Sequence, residues 1–184
     1  MTTRDTDATE VPVWDRFVRC FHWATVALFA TAFLSPEVKF LHEPVGYALL
    51  ALTIARIIWG FVGTLNARFS SFVAGPTAVL TYLRLLGRGH APRHLGHNPA
   101  GGAMIIALLT LLIATGASGW MSATDRWFGV EWVEEVHEIS ANLMLGLVVV
   151  HVLAVVLSSL AHRENLVRAM ITGRKAASGS DHPR

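Results

Sequence analysis

The chain has 184 residues, of which 53% are hydrophobic and only 15% are charged, and its mean hydropathy is +0.47. A soluble domain usually carries about 25% charged residues, so this composition excludes an ordinary soluble globule and predicts a membrane protein with several spans. The formal net charge of +2 is too small to indicate a nucleic-acid partner. The single cysteine, Cys20, excludes an internal disulfide and a zinc site built from thiolates.

Four apolar stretches follow one another along the chain, each about as long as the 20 residues that a helix needs to cross a bilayer. They cover residues 14–34, 41–65, 103–121 and 136–160. Residues 1–13 are polar without apolar periodicity, and we expect a flexible tail there. Residues 166–184 form a predicted basic tail, so residues 14–165 are interpreted as a single four-helix membrane domain.

A cationic segment, residues 66–100, connects the second and third stretches and contains no acidic residue. Within it, Pro76 begins the sequence PTAVLTYLRLLGR, which predicts a short helix because proline is favoured in a first helical turn. Its apolar residues can share one face: Val79, Leu80, Leu83 and Leu86. We expect this helix to lie on the membrane surface.

The distribution of Lys and Arg predicts the orientation of the chain. Two of these residues, Lys39 and Arg126, lie in the loops after the first and third stretches, whereas twelve lie in the first segment, the connecting segment and the C-terminal tail. The positive-inside rule then places both termini in the cytoplasm. In a bacterium this means a multi-pass protein of the inner membrane with an acidic periplasmic face.

Four histidines lie in or at the ends of the predicted spans, and their depths match in pairs. His137 and His151 are fourteen residues apart, so on one helix they return to within about 40° of the same face and are separated by about 21 Å. His22 lies near the cytoplasmic end of the first span, and His42 lies at the periplasmic start of the second. The depths therefore pair His22 with His151 and His42 with His137.

Paired imidazoles at two depths indicate two metal-centred cofactors, because ionisable groups inside a membrane are costly and tend to be functional. Haem iron needs only two axial ligands, whereas a tetrahedral zinc site would lack further ligands at these depths. With one cysteine the chain has no CxxCH attachment motif, so each haem would be b-type and non-covalent. The alternatives are zinc and histidines that serve only as helix contacts.

Arg56 stands fourteen residues after His42, at the predicted depth of the cytoplasmic pair. A buried guanidinium there favours an anion such as a haem propionate, through charge-assisted hydrogen bonds. The alternative is a side chain that extends towards the lipid headgroups.

The remaining histidines are weaker candidates for ligands. His162 is predicted to be too shallow to pair with His22. The others are predicted to face solvent: His90, His94 and His97 in the connecting segment and His182 in the tail.

Longer motifs surround these residues: VWDRFVRCFHW, HEPVGYALLALTIARIIWGFVG, ARFSSF, LGHNPAGGAM and HEISANLMLGLVVVHVL. Together they resemble the bacterial cytochrome b561 family, which is related to the b-type cytochrome subunits of nickel-iron hydrogenases. The resemblance implies an all-α, antiparallel four-helix transmembrane bundle that holds two b haems. It assigns His22 and His151 to one haem and His42 and His137 to the other, and it implies that Arg56 contacts propionate or quinone.

These observations predict transmembrane electron transfer between the quinone pool, as ubiquinone or menaquinone, and a periplasmic cytochrome or other redox protein. Bis-histidine ligation fills both axial positions of the iron and favours simple electron exchange over oxygen chemistry. Two alternatives stay open: an oxidoreductase that couples a small periplasmic molecule such as superoxide to quinone, and a membrane anchor subunit of a hydrogenase or dehydrogenase. The sequence also leaves open whether the chain forms an oligomer.

Overall fold

The computed structural model describes residues 10–177 and is mostly helical. Four long helices are apolar enough to cross a membrane: α1 (Arg16–Leu34), α2 (Lys39–Val62), α5 (Pro99–Ser122) and α6 (Glu131–His162). The prediction of an all-α bundle with four spans is confirmed, and the helix bounds differ from the predicted ones by at most five residues. The 32 residues of α6 extend about 48 Å, so this helix projects beyond a hydrocarbon core about 30 Å thick.

The starts of two spans are fixed by side-chain caps. The Asp15 carboxylate accepts a hydrogen bond of 2.8 Å from the backbone N–H of Val18 and so caps α1. Asn98 caps α5 in the same way through Gly101 N–H, and Pro99 occupies the first turn, where its missing N–H costs nothing. These caps satisfy backbone donors that a helix leaves without partners at its start.

The connecting segment contains two helices, α3 (Phe69–Phe72) and α4 (Pro76–Gly87), preceded by a 3₁₀ turn at Leu65–Ala67. The prediction of a helix beginning at Pro76 is confirmed. Tyr82 is buried, whereas Leu80 and Leu83 of the predicted apolar face are exposed. Because α4 packs against α5, Tyr82 faces the protein, and Leu80 and Leu83 lie on the exposed side of the helix.

The two ends of the described chain pair with each other. Strand β1 (Glu10–Pro12) runs antiparallel to β2 (Arg174–Ala176), which follows a short helix, α7 (Leu166–Thr172). The predicted tails are therefore ordered at residues 10–13 and 166–177. The expectations for residues 1–9 and 178–184 lie outside the described residues.

A buried ionic cluster stabilises this pairing of the two ends. The Lys175 ammonium lies 3.5 Å from the Glu164 carboxylate, which also accepts a hydrogen bond of 2.9 Å from Arg93. Burial lowers the pKa of Lys175, and the Glu164 charge opposes that effect. The cluster thus joins β2 to the end of α6 and to the connecting segment.

The spans pack in the order α1 on α2, α2 on α5 and α5 on α6. Their shared core contains Leu49, Leu109, Leu112 and Met144. Leu49 and Met144 each lie seven residues after a histidine candidate, so this apolar layer sits at mid-height between the histidine pairs. Many large apolar side chains on the outer surfaces of α2 and α6 are exposed, as is expected of helices that face lipid.

Candidate functional site

The structure brings the four span histidines together as two pairs. The ring centroids of His22 on α1 and His151 on α6 are 6.4 Å apart. Those of His42 on α2 and His137 on α6 are 6.0 Å apart. The pairs are separated by fourteen residues of α6, a rise of about 21 Å, so they lie towards opposite ends of the bundle.

These separations fit two imidazoles that share one metal ion. A metal–imidazole bond is about 2.0 Å long and the ring centroid lies about a further 1.1 Å away, so opposed ligands place their centroids about 6 Å apart. Within residues 10–177 no group of three or more His, Cys, Asp or Glu side chains is arranged to hold an ion. Each pair therefore suits an axially ligated haem iron better than a tetrahedral zinc ion.

Backbone carbonyls orient both rings of the His42–His137 pair. His42 Nδ1 lies 3.0 Å from the Ala32 carbonyl oxygen, and His137 Nδ1 lies 2.9 Å from that of Thr115. A carbonyl can only accept, so each Nδ1 carries the proton and each Nε2 keeps its lone pair. This is the arrangement that a metal-ligating histidine normally shows, with its other nitrogen donating to a fixed acceptor.

The interface of α5 with α6 is shaped around the His137 ring. A Cβ atom at Gly119 would lie 2.9 Å from the ring carbon Cε1, closer than side chains normally approach. Nearby, Thr115 donates a hydrogen bond of 2.8 Å to Ser140, which joins the two helices one turn from the histidine. Gly119 and this hydroxyl pair therefore fix the distance and register at which α5 meets the ring.

The His22–His151 pair has an unsatisfied polar atom. His22 Nδ1 is buried without a hydrogen-bond partner among the described residues, while the ring meets Trp23 edge-on at 5.0 Å. A buried donor or acceptor left without a partner costs about 1–3 kcal/mol. Unlike the rings of the other pair, His22 has no acceptor among residues 10–177 that fixes its tautomer.

Arg56 points into the protein. It is only 3% exposed, donates from Nη2 to the Ala67 carbonyl at 3.2 Å and lies over the Phe69 ring at 5.5 Å. Its Nη1 is buried and has no partner among the described residues. The guanidinium does not extend towards lipid headgroups, and it keeps an unused donor for an anion.

The loop histidines differ from the prediction that all face solvent. His90 is exposed as expected, whereas His94 is half-buried with its ring 5.6 Å from Tyr82. His97 is half-buried between the Trp14 and Phe72 rings, and its Nδ1 is buried without a partner among the described residues. Sequence reasoning missed His97, although the signal was its position directly before the Asn98–Pro99 start of α5.

The two remaining histidines, His162 and His182, lie near the C-terminus of the chain. His162 Nδ1 lies 3.0 Å from the Ser158 carbonyl of its own helix, beside the cationic residues that follow α6. His182 lies outside the described residues.

The fold and the site define a membrane-embedded b-type cytochrome. The family pattern described as prokaryotic cytochrome b561 matches residues 13–173, and the chain belongs to that family. Members of this family bind b-type haem, and the protein is an integral membrane cytochrome of electron transfer. The expected relation to the hydrogenase cytochromes is confirmed by three curated relatives.

All three relatives are named probable Ni/Fe-hydrogenase B-type cytochrome subunits. The protein from Azotobacter vinelandii is 25% identical over 215 aligned positions, which cover 90% of this chain and 88% of the relative. The one from Rhizobium leguminosarum bv. viciae is 23% identical, covering 78% of this chain and 70% of the relative. That from Bradyrhizobium diazoefficiens is 22% identical, with coverage of 78% and 68%.

Proposed function

We propose that the protein holds two b haems and transfers electrons across the bacterial inner membrane between the quinone pool and a periplasmic redox partner. His22 and His151 would ligate the cytoplasmic-side haem, and His42 and His137 the periplasmic-side haem. The observation that carries this proposal is the presence of two histidine pairs, at 6.4 and 6.0 Å, at two heights of the same bundle.

The chain's own residues position and insulate these sites. The Ala32 and Thr115 carbonyls hold two of the imidazoles in the ligating tautomer. Leu49 and Met144 belong to an apolar core that lies between the pairs. When bound, haem iron supplies reversible one-electron exchange between iron(III) and iron(II).

The two faces of the bundle suit different partners. Twelve Lys and Arg residues on the side of the termini make that side cytoplasmic under the positive-inside rule. The opposite side exposes Glu37, Glu131, Glu134 and Glu135. Complementary charge accelerates encounter, so a basic periplasmic cytochrome is the favoured partner there.

Haem stoichiometry tests the proposal directly. A pyridine haemochrome assay of the purified protein is expected to give two protohaems per chain, and one or none would overturn the proposal. His42→Ala and His137→Ala should each remove the periplasmic-side haem, whereas His22→Ala and His151→Ala should remove the other. His162→Ala is the control and should retain both haems, while equal losses from all four ligand variants would contradict the pairing.

A membrane anchor role is the second candidate, because the three curated relatives are named as hydrogenase cytochrome subunits. In that case a catalytic chain should co-purify with the tagged protein from its native membrane in mild detergent. A preparation that contains two haems, exchanges electrons with quinol and carries no second polypeptide would count against this role.

A further inference from the structure

Three separate parts of the chain fix the ring of His97. The ring lies 4.4 Å from Trp14 and 4.7 Å from Phe72, measured between centroids. Trp14 is itself anchored, because its backbone N–H donates to the Gly173 carbonyl at 3.1 Å. On the C-terminal side, the Asn98 cap fixes the chain at the start of α5. Such an enclosed ring has little freedom to turn towards solvent.

The polar edge of this ring is unsatisfied. His97 Nδ1 is buried and has no hydrogen-bond partner among residues 10–177. Burial, reinforced by the positive charges of Arg56 and Lys175, lowers the pKa of His97 to about 3, so the ring is neutral at physiological pH. A neutral imidazole keeps one N–H, and an N–H at Nδ1 would require an acceptor that the described residues do not supply.

A second unused donor belongs to Arg56, whose Nη1 is buried and has no partner within residues 10–177. Both residues contact the same aromatic cluster, since Arg56 lies over Phe69, and Phe69 and Phe72 are 5.8 Å apart. A buried guanidinium needs a compensating anion, because an isolated charge inside a protein is costly. The Asp15 carboxylate already supplies a negative field at Arg56, and a propionate would add a direct charge-assisted hydrogen bond at Nη1, whereas a neutral quinone carbonyl would add no charge.

We propose that His97, together with Arg56, binds a propionate carboxylate of the haem held by His22 and His151, with His97 donating from Nδ1 to a carboxylate oxygen. This inference rests on the proposed function and adds a cofactor-binding residue from outside the four spans. It also explains why a loop histidine is enclosed at the cytoplasmic end of the bundle. The hydrogen bond masks part of the carboxylate charge and so raises the reduction potential of that haem.

A matched pair of variants separates hydrogen bonding from packing. His97→Phe keeps an aromatic ring between Trp14 and Phe72 and removes the donor, whereas His97→Gln keeps an N–H donor and removes the ring. The midpoint potentials of both haems would be measured by optical redox titration in quinone-free detergent. His90→Phe serves as the control, because His90 is exposed in the same segment. The two haems would be assigned by titrating His22→Ala and His42→Ala.

We expect His97→Phe to lower the equilibrium constant for reduction of the cytoplasmic-side haem about threefold. At 59 mV per tenfold change, its midpoint potential falls by about 28 mV, and the potential of the other haem stays unchanged. His97→Gln should restore at least half of that shift. An unchanged potential in His97→Phe, or a shift seen only after quinone is added, would overturn the inference. If His97→Phe loses the cytoplasmic-side haem altogether, retention of it in His97→Gln supports the inference and its loss there refutes it. Wild-type protein with fewer than two haems would instead refute the proposed function.

Discussion

A single backbone carbonyl decides the tautomer of each histidine in the periplasmic-side pair. Because the Ala32 and Thr115 carbonyls can only accept, a neutral ring at either position carries its proton on Nδ1 and leaves Nε2 unprotonated. The Thr115 carbonyl also accepts a hydrogen bond of 3.1 Å from the Ser118 hydroxyl of its own helix. The orientation of these two rings is therefore determined by the helix backbones, independently of any bound group.

At the same scale, Gly119 determines how close α5 comes to the His137 ring. In Gly119→Ala the new methyl group would lie 2.9 Å from Cε1 and 3.0 Å from Nδ1, so the ring must move and its hydrogen bond to Thr115 must weaken. We expect the periplasmic-side haem occupancy to fall at least twofold while the other haem is retained. The haemochrome assay and the optical spectrum measure both.

Gly116→Ala is the matched control for that variant. It lies one turn earlier on α5, where a Cβ would come within 2.9 Å of Leu50 Cδ1 and 3.1 Å of Leu50 Cβ on α2 and would not meet the His137 ring. We expect Gly116→Ala to retain both haems. Equal haem content in Gly119→Ala and wild type would show that the ring tolerates displacement.

At the scale of elements, Asp15 connects the start of α1 with the end of α2. Its carboxylate caps α1 and also accepts hydrogen bonds from the Trp59 indole at 3.0 Å and the Thr64 hydroxyl at 2.6 Å. Burial raises the pKa of this carboxyl, but the hydrogen bonds from Thr64, Val18 and Trp59 outweigh it and hold the pKa below 3.8. The charged form is thus the one that the fold stabilises.

Asp15→Asn should therefore destabilise the protein in a pH-dependent way. Asparagine still caps a helix, so the loss at pH 7 reflects the charge-assisted bonds and should be about 1–2 kcal/mol. A carboxyl with a lowered folded-state pKa contributes stability above its unfolded pKa, and this is lost as the pH falls through the folded value. The difference in thermal stability from wild type should accordingly shrink below pH 3.8.

The exposed Asp125→Asn gives the comparison for this experiment, since Asp125 lies on the opposite face of the bundle. Its melting temperature should follow that of wild type at every pH. A penalty for Asp15→Asn that stays constant from pH 7 to pH 3 would mean that the charge contributes nothing.

At the scale of the whole molecule, the surface pattern is inverted relative to a soluble bundle. Large apolar side chains such as Ile58, Val152 and Leu157 are exposed, while Thr53 and Arg56 are buried. Lipid can solvate the exposed apolar side chains, whereas the polar groups of Thr53 and Arg56 need hydrogen-bond partners inside the bundle. The protein therefore depends on its membrane for stability and on its interior for chemistry.

Orientation in the membrane is a prediction at this scale. A fluorescent protein fused after Arg184 should fold and fluoresce, because the basic C-terminal side is predicted to be cytoplasmic. Alkaline phosphatase inserted after Asp125 should be active, because that loop is predicted to be periplasmic. An active phosphatase fused after Arg184 would reverse the assignment of the two haem sites to their sides.

The sequence by itself determined the four spans and the matching depths of the histidines. Both follow from local rules, since apolar length predicts a span and a fourteen-residue interval on one helix predicts a shared face. The same reasoning predicted the helix after Pro76. These features need no knowledge of how distant segments meet.

Only the tertiary structure decided where the connecting segment and the chain ends go. The pairing of β1 with β2 and the enclosure of His97 by Trp14 and Phe72 join residues that are far apart in the sequence. The same holds for the carbonyls that orient His42 and His137, because a backbone acceptor has no signature in residue type. Long-range packing selects these contacts, and no periodicity along the chain records them.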